Sequence, residues 1–193
     1  MPPKLHVIVA STRPGRVGLP VGRWFAERAI AHGAFDVELV DLAEVGLPLM
    51  DEPHHPRERR YVHRHTRDWS ARIDAADAFV FVMPEYNHGF TAPLKNAIDY
   101  LLHEWKHKPV GFVSYGGLAA GTRAVQMIKP VVSDMKMVAV PEAVAIPFVR
   151  QFLDGERIRA SAEMEQGAAA MLDELSRMEA VLRPLRAGDR QPA

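Results

Sequence analysis

The sequence predicts an α/β protein, a three-layer sandwich in which a five-stranded parallel sheet of order 2-1-3-4-5 is covered by helices on both faces. Two observations carry this expectation. Strand-like and helix-like segments alternate five times along 193 residues, with no internal repeat and no long linker between them. The first strand-like segment, Leu5 to Ala10, is short, β-branched and almost continuously apolar, as strands buried on both faces are. The length suits one domain with decorations, so residues 1–193 are read as a single domain with 186–193 as a loose tail.

The first strand is Leu5-His6-Val7-Ile8-Val9-Ala10, which stops at a polar loop bearing Pro14 and Gly15. Val21, Trp24, Phe25 and Ala29 then recur at helical spacing, with Pro20 near the start and Gly33 near the end, the asymmetry of helix boundaries. Val37 to Leu42 gives a second strand, and a polar, helix-compatible stretch runs from about Pro56 to Ala76. The third strand, Ala78 to Val82, ends at Pro84. Leu94, Ala97, Ile98, Leu101 and Leu102 form one apolar face of a helix entered through Thr91 and Pro93. Val110 to Val113 is the fourth strand, followed by a glycine-rich turn over 116–121 and a helix from Arg123 to Asp134 that Pro130 should kink or shorten. Met137 to Val140, continued after Pro141 by Ala143 to Ile146, is the fifth strand. A closing helix covers about Arg159 to Leu182, with Met164, Ala168, Met171, Leu175, Met178, Leu182 and Leu185 spaced 4, 3, 4, 3, 4, 3; burial against the protein's own sheet is the favoured reading of that seam.

Composition excludes several classes of function. Apolar residues make up 48% and charged residues 25%, as in ordinary globular proteins. Lys plus Arg and Asp plus Glu are both 24, so no net charge draws the chain to nucleic acid or an anionic membrane surface. The absence of cysteine rules out a thiolate nucleophile, disulfides and cysteine metal sites. No stretch reads as a signal segment or a membrane span, and a soluble, cytoplasmic protein is expected.

In a sheet of this order, ligands bind beyond the carboxyl ends of the strands, between strands one and three. The loops starting at Ser11, Pro84 and Ser114 are therefore the ones to inspect. Ser11, Thr12, Arg13, Arg16, Val17 and Gly18 lie between a strand and a helix start, where backbone N–H groups, hydroxyls and guanidiniums can converge on a phosphate. The loop is neither a Walker loop nor a GxGxxG fingerprint, and a solvated arginine loop is the plain alternative. Pro84, Glu85, Tyr86, Asn87 and His88 offer a rigid turn, an aromatic face and amide groups suited to a flat heteroaromatic ring; they are also ordinary turn formers. Tyr115, Gly116 and Gly117 permit close approach of backbone to a ligand, and a plain strand-to-helix turn is the alternative.

Ser11-Thr12-Arg13-Pro14-Gly15-Arg16, Pro84-Glu85-Tyr86-Asn87-His88 leading to Pro93-Leu94-Lys95-Asn96-Ala97-Ile98-Asp99-Tyr100, Lys108-Pro109-Val110 and Tyr115-Gly116-Gly117 occur in that order. Together they resemble the NAD(P)H-dependent FMN reductase family of flavodoxin-like proteins, over about residues 5 to 147. The resemblance implies noncovalently bound FMN, with electrons passing from NADPH or NADH to a flavin, quinone, azo compound or metal ion. It implies that Ser11, Thr12, Arg13 and the following turn hold the FMN phosphate, that Pro84 to Asn87 hold the isoalloxazine, and that Ser114 to Gly117 complete the ring site. Many relatives have Ser where Arg16 stands and Asn where Gly18 stands, so Arg16 is a charged substitute there. The alternative is a flavodoxin-like electron carrier without turnover of its own. Such carriers are strongly acidic, and the net charge of 0 argues against one.

The remaining polar clusters are read plainly. His54, His55, His63 and His65 surround Arg57, Arg59, Arg60, Arg64 and Arg67, and a solvated helix face is the default for such mixed charge, with no metal site. The second reading has this segment rimming the active site and meeting the phosphate of NADPH. No general acid or base is nominated, because the cofactor does the chemistry. Tyr86, Phe90 and Trp105 are expected to border the ring crevice as an aromatic patch, which points to a homodimer or homotetramer. Trp105 facing the core is the competing reading.

Overall fold

The computed structural model describes residues 1–189. A parallel sheet of order β2-β1-β3-β4-β5 is formed by β1 (Lys4–Val9), β2 (Asp36–Asp41), β3 (Ala78–Pro84), β4 (Pro109–Tyr115) and β5 (Val138–Ile146), the flavodoxin-like order. The helices are α1 (Gly18–His32), the short α2 (Leu42–Val45), α3 (Arg64–Ala75), α4 (Ala92–Asp99), α5 (Thr122–Asp134) and α6 (Ala162–Asp189). A two-stranded antiparallel hairpin of β6 (Leu153–Asp154) and β7 (Arg157–Ile158) precedes α6.

Strand alternation sorts the core into two layers. In β3, Phe79, Phe81 and Met83 face α3, α4 and α5, where they meet Trp69, Ile73, Leu94, Ile98 and Ile128. Ala78, Val80 and Val82 face the opposite side, against Val21 and Phe25 of α1 and Met171, Leu172 and Leu175 of α6. Each such side chain contributes about 1.5–3 kcal/mol on full burial. Met164, Ala168, Met171 and Leu175 of the heptad-like seam are buried on the protein's own sheet, as expected, while Leu185 stays exposed.

Several expectations need correction. The fourth helix ends at Asp99 rather than continuing through Leu101 and Leu102. Its last carbonyls are taken by tertiary donors: the Trp69 indole N–H donates to the Ala97 carbonyl at 2.9 Å, and the Trp105 indole N–H donates to that of Ile98 at 3.1 Å. Trp105 is thereby fully buried and no part of a surface aromatic patch. Pro130 does not shorten α5, and Pro184 does not end α6. Both prolines stand on solvent faces, as do Gln126 and Ala180, whose carbonyls lose the proline hydrogen bond and are open to water. The two halves of the fifth strand are one strand, with Pro141 at an irregularity where Val110 and Phe112 of β4 pair with Ala139 and Ala143. Proline is tolerated there because β5 is an edge strand.

The expected tail over 186–193 begins inside α6, and residues 190–193 lie outside the described ones. Arg186 anchors the end of that helix. Its guanidinium is 7% exposed, donates to the His107 carbonyl at 3.0 Å and pairs with Glu179 and Asp77.

In the basic segment, Pro56–Glu58 is one 3-10 turn and Arg64 opens α3. Its polar groups are used locally. His65 Nε2 lies 2.9 Å from Asp51, the backbone N–H groups of Val62 and His63 donate to Glu52, and Arg67 donates to the Tyr61 and Val62 carbonyls. Among the described residues no helix is long and apolar enough to cross a membrane.

Candidate active site

The loops that leave β1, β3 and β4 at their carboxyl ends converge on one cleft of about 420 Å³. The first contributes Ser11, Arg13, Arg16 and Val17, the second Pro84, Glu85 and Tyr86, and the third Tyr115, Gly116 and Gly117. A fourth wall, Phe148 to Gln151 beyond β5, was absent from the sequence reading. Local composition carries no signal for it. The usable signal was topological, since these residues follow the carboxyl end of the strand beside β4.

One end of the cleft is cationic. Arg16 pairs with the buried Asp41 at the end of β2, and Asp41 also accepts the Ala43 N–H at 3.0 Å to cap α2. The guanidinium is held in place by this double anchorage, and its Nε is buried without a hydrogen-bond partner among the described residues. Arg13 is exposed beside it. No side chain caps the N-terminus of α1, so its first-turn N–H groups add a positive potential at the same end. An anionic group is what these donors suit.

The other walls carry the rings of Tyr86, Tyr115 and Phe148 and the backbone of Gly116 and Gly117, with Arg150 and Gln151 on the β5 side. Ser11 is buried and shares a hydrogen bond of 3.1 Å with the Tyr86 hydroxyl, tying the first loop to the second. Asn87 and His88 have φ of 51° and 69°, and Tyr86 and Gly89 exchange two backbone hydrogen bonds of 2.9 Å across them. Positive φ at both central residues is the requirement of a tight type I′ turn, which Asn meets readily. Gly117 has no heavy atom within 4 Å of where a Cβ would stand, so a ligand can lie directly on its backbone. The Phe148 N–H donates to the Gly117 carbonyl and the Val149 N–H to that of Gly116, both at 3.1 Å. This pairing holds Phe148 at φ 46° with its ring 48% exposed at the mouth.

Glu85 packs against a neighbouring helix, the plain alternative to contact with a ring. Its carboxylate pairs with the Arg123 guanidinium and accepts the Arg123 backbone N–H at 3.3 Å, at the start of α5. Arg123 also donates to His88 Nε2 at 3.0 Å. The second loop is thus clamped to the helix that follows the third. The Arg123 hydrogen bond holds the Glu85 carboxyl below its ordinary value of 4.5, against a smaller opposing effect of burial.

Some expected residues lie off the cleft wall. Thr12 faces a separate cavity with Leu42, Pro93 and Asn96. Asn87 and His88 form the exposed turn and shape the loop from outside. Ser114 is buried behind the wall, and Gly18 is the buried first residue of α1. A Cβ on Gly18 would stand 2.5 Å from the Tyr115 hydroxyl and 3.3 Å from Val9, so glycine here lets α1 approach the sheet. Burial raises the pKa of the Tyr115 phenol, with Tyr86 adding to the effect, and keeps it neutral beside the cleft. None of the basic segment 54–67 lines this cleft.

The whole arrangement suits a flat ring carrying a phosphate on a flexible arm. Residues 3–151 match the family described as NADPH-dependent FMN reductase. The chain belongs to that family. An NAD(P)H-dependent FMN reductase of Schizosaccharomyces pombe is 41% identical over 150 residues, 77% of this chain and 74% of the relative. An FMN-dependent NADPH-azoreductase of Staphylococcus saprophyticus is 25% identical over 88% of this chain and 91% of its own. In fold, the chain is similar to FerB, a flavoenzyme NAD(P)H:(acceptor) oxidoreductase from Paracoccus denitrificans, with a TM-score of 0.73 at 18% identity over 92% of this chain and 97% of that one. The residues present fit the family's cofactor: an orphaned Arg16 Nε at the cationic end, where a phosphate would lie, and an open Gly117 backbone at the ring end.

The Glu85 clamp generates a pH prediction. A carboxyl whose folded pKa lies below its unfolded one stabilises fully above the unfolded value and loses that contribution as pH falls through the folded one. Glu85→Gln is therefore expected to be less stable than wild type at neutral pH, with the gap closing below about pH 4.5. Urea unfolding at a series of pH values reads this gap; one that persists undiminished in acid would refute the clamp.

Proposed function

We propose that this chain acts as a single-domain, cytoplasmic FMN-dependent NAD(P)H oxidoreductase that reduces small-molecule acceptors. The observation that carries the reading is the polarity of one cleft, cationic at the α1 end and walled by aromatic rings and an open glycine backbone at the other. Family membership supports the cofactor and the reductant, NADPH or NADH. FMN, when bound, supplies a ring that accepts hydride from reduced nicotinamide and passes electrons to an acceptor.

The chain's own part is binding and orientation. Arg13, Arg16, Ser11 and the first-turn N–H groups of α1 take the phosphate. Pro84, Glu85 and Tyr86 on one side, and Tyr115, Gly116 and Gly117 on the other, take the ring. The Glu85–Arg123 pair and the Ser11–Tyr86 hydrogen bond keep the walls in place, so that little ordering remains to be done on binding. The cleft mouth between Tyr86 and Phe148 admits a planar partner, which suits flavin, quinone or azo acceptors; a metal ion reduced at the exposed edge is compatible with the same opening. A carrier of the flavodoxin kind needs strongly acidic docking faces, and equal numbers of cationic and anionic residues argue for the enzyme.

The visible spectrum of purified protein tests this. A flavin spectrum that bleaches when NADPH is added without oxygen is expected, and the extracted flavin should chromatograph as FMN. A colourless protein that takes up no FMN, or one holding mainly FAD, would overturn the reading.

Arg13→Ala is expected to weaken FMN binding by about 1.5–3 kcal/mol, as the loss of a charge-assisted hydrogen bond, with the fold intact. Titration of FMN into the apoprotein measures it; unchanged affinity would place the phosphate elsewhere.

A homodimer or homotetramer completes the proposal. Trp105 no longer supports it, but Leu118, Phe148 and Tyr86 are 82%, 48% and 41% exposed around the same cleft, and clustered apolar exposure of this kind marks interfaces. Light scattering at micromolar concentration should give at least twice the 21.5 kDa chain mass. A monomer with full FMN occupancy and turnover would show that the site needs no neighbour.

A further inference from the structure

Tyr115 is the last residue of β4, and its ring lines the cleft although the residue is only 5% exposed. Its hydroxyl reaches further than the ring wall. A Cβ on Gly18 would stand 2.5 Å from the phenol oxygen and 3.5 Å from the Ser11 Cβ, so the hydroxyl lies against the first residue of α1 and beside the first loop. A side chain rooted in the third loop thus ends at the cationic end of the cleft.

Nothing at that end takes its proton. The phenol oxygen is buried without a hydrogen-bond partner among the described residues, and the neighbouring Ser11 hydroxyl shares its bond with Tyr86. A buried donor left unpaired is costly, and one beside a cleft is satisfied by what enters the cleft. Burial keeps the phenol protonated, so it is a donor at neutral pH. The start of α1 is short of such donors. Val17 supplies no side-chain cap, and Pro20 in the first turn has no N–H to offer an anion. Gly18 has no side chain to add one, and the phenol occupies the space where that side chain would begin.

We infer that the Tyr115 hydroxyl donates a hydrogen bond to the phosphate of the cofactor at the start of α1, so that β4 holds both ends of the ligand. The inference rests on the FMN reading for the identity of the anion. It adds a phosphate contact to the ring contact of this loop, from a residue outside the first loop. The ring of Tyr115 remains part of the wall, and only its oxygen acts at the far end.

Tyr115→Phe removes the oxygen and keeps the ring. Titration of FMN into the apoprotein should show the dissociation constant rising about tenfold or more, as for loss of one hydrogen bond to a charged group. The ³¹P resonance of bound FMN should move in the variant, while the flavin absorbance bands stay at their wild-type positions. Thermal unfolding reads the orphaned donor directly: without FMN the variant should melt no lower than wild type, and with saturating FMN it should melt lower. Unchanged FMN affinity would overturn the inference. So would an unmoved ³¹P line with shifted absorbance bands, which would confine Tyr115 to the ring, or an apoprotein variant that melts well below wild type, which would give the hydroxyl a structural role. A wild-type protein that takes up no FMN would show instead as a missing flavin spectrum, and would overturn the underlying reading together with the inference.

Discussion

A reversal in the sheet is the constraint on which the rest depends. Strand β1 feeds α1 on one face, while β3, hydrogen-bonded beside it, feeds α4 on the other. Their loops must part at the carboxyl edge, and a crevice opens between them that no side chain of the sheet can fill. It is lined by chain ends whose backbone groups are not all consumed by the ladder. Every feature of the candidate site is a way of bordering that opening.

The crevice is kept open by ties across it rather than by burial. Thr91 donates to the Ala10 carbonyl at 2.9 Å, joining the start of α4 to the end of β1. Ser11 reaches Tyr86, Glu85 reaches Arg123, and Phe148 reaches Gly117, each linking one loop to the next. Arg16 is fixed from below by Asp41. Loops held by such cross-links are preorganised, which is what a site needs when the ligand rather than the protein supplies the reactive atoms. The same ties explain why turns as strained as Asn87-His88 and Phe148 persist, since neighbouring hydrogen bonds over-determine them.

The β6–β7 hairpin turns at Gly155, with φ 59°, and sits against α1. The last helix, α6, covers β4 and β5 with its apolar seam, and its end is locked by Arg186 between Glu179 and Asp77.

The strands, their order and the three loops of the crevice were legible in the sequence because each follows from a local pattern: continuous apolar runs, helical spacing, and Pro/Gly punctuation. Ser11, Arg13, Arg16, Val17, Pro84, Glu85, Tyr86, Tyr115, Gly116 and Gly117 could be named on that basis and stand on the cleft wall. What the sequence could not decide was which partner each polar or aromatic side chain would find. The helix after Thr91 stops early because two indoles from distant segments take its last carbonyls; Pro130 and Pro184 are harmless because they face water; the chain past Leu182 stays helical because Arg186 finds Glu179, Asp77 and the His107 carbonyl. Thr12, Gly18, Asn87, His88 and Ser114 belong to the right loops yet point elsewhere, and Phe148 to Arg150 reach the site only through pairing with Gly116 and Gly117. Local periodicity fixes the direction of a backbone and the face a residue occupies. The contact at the end of its side chain is set by segments tens of residues away, and only the folded chain brings those together.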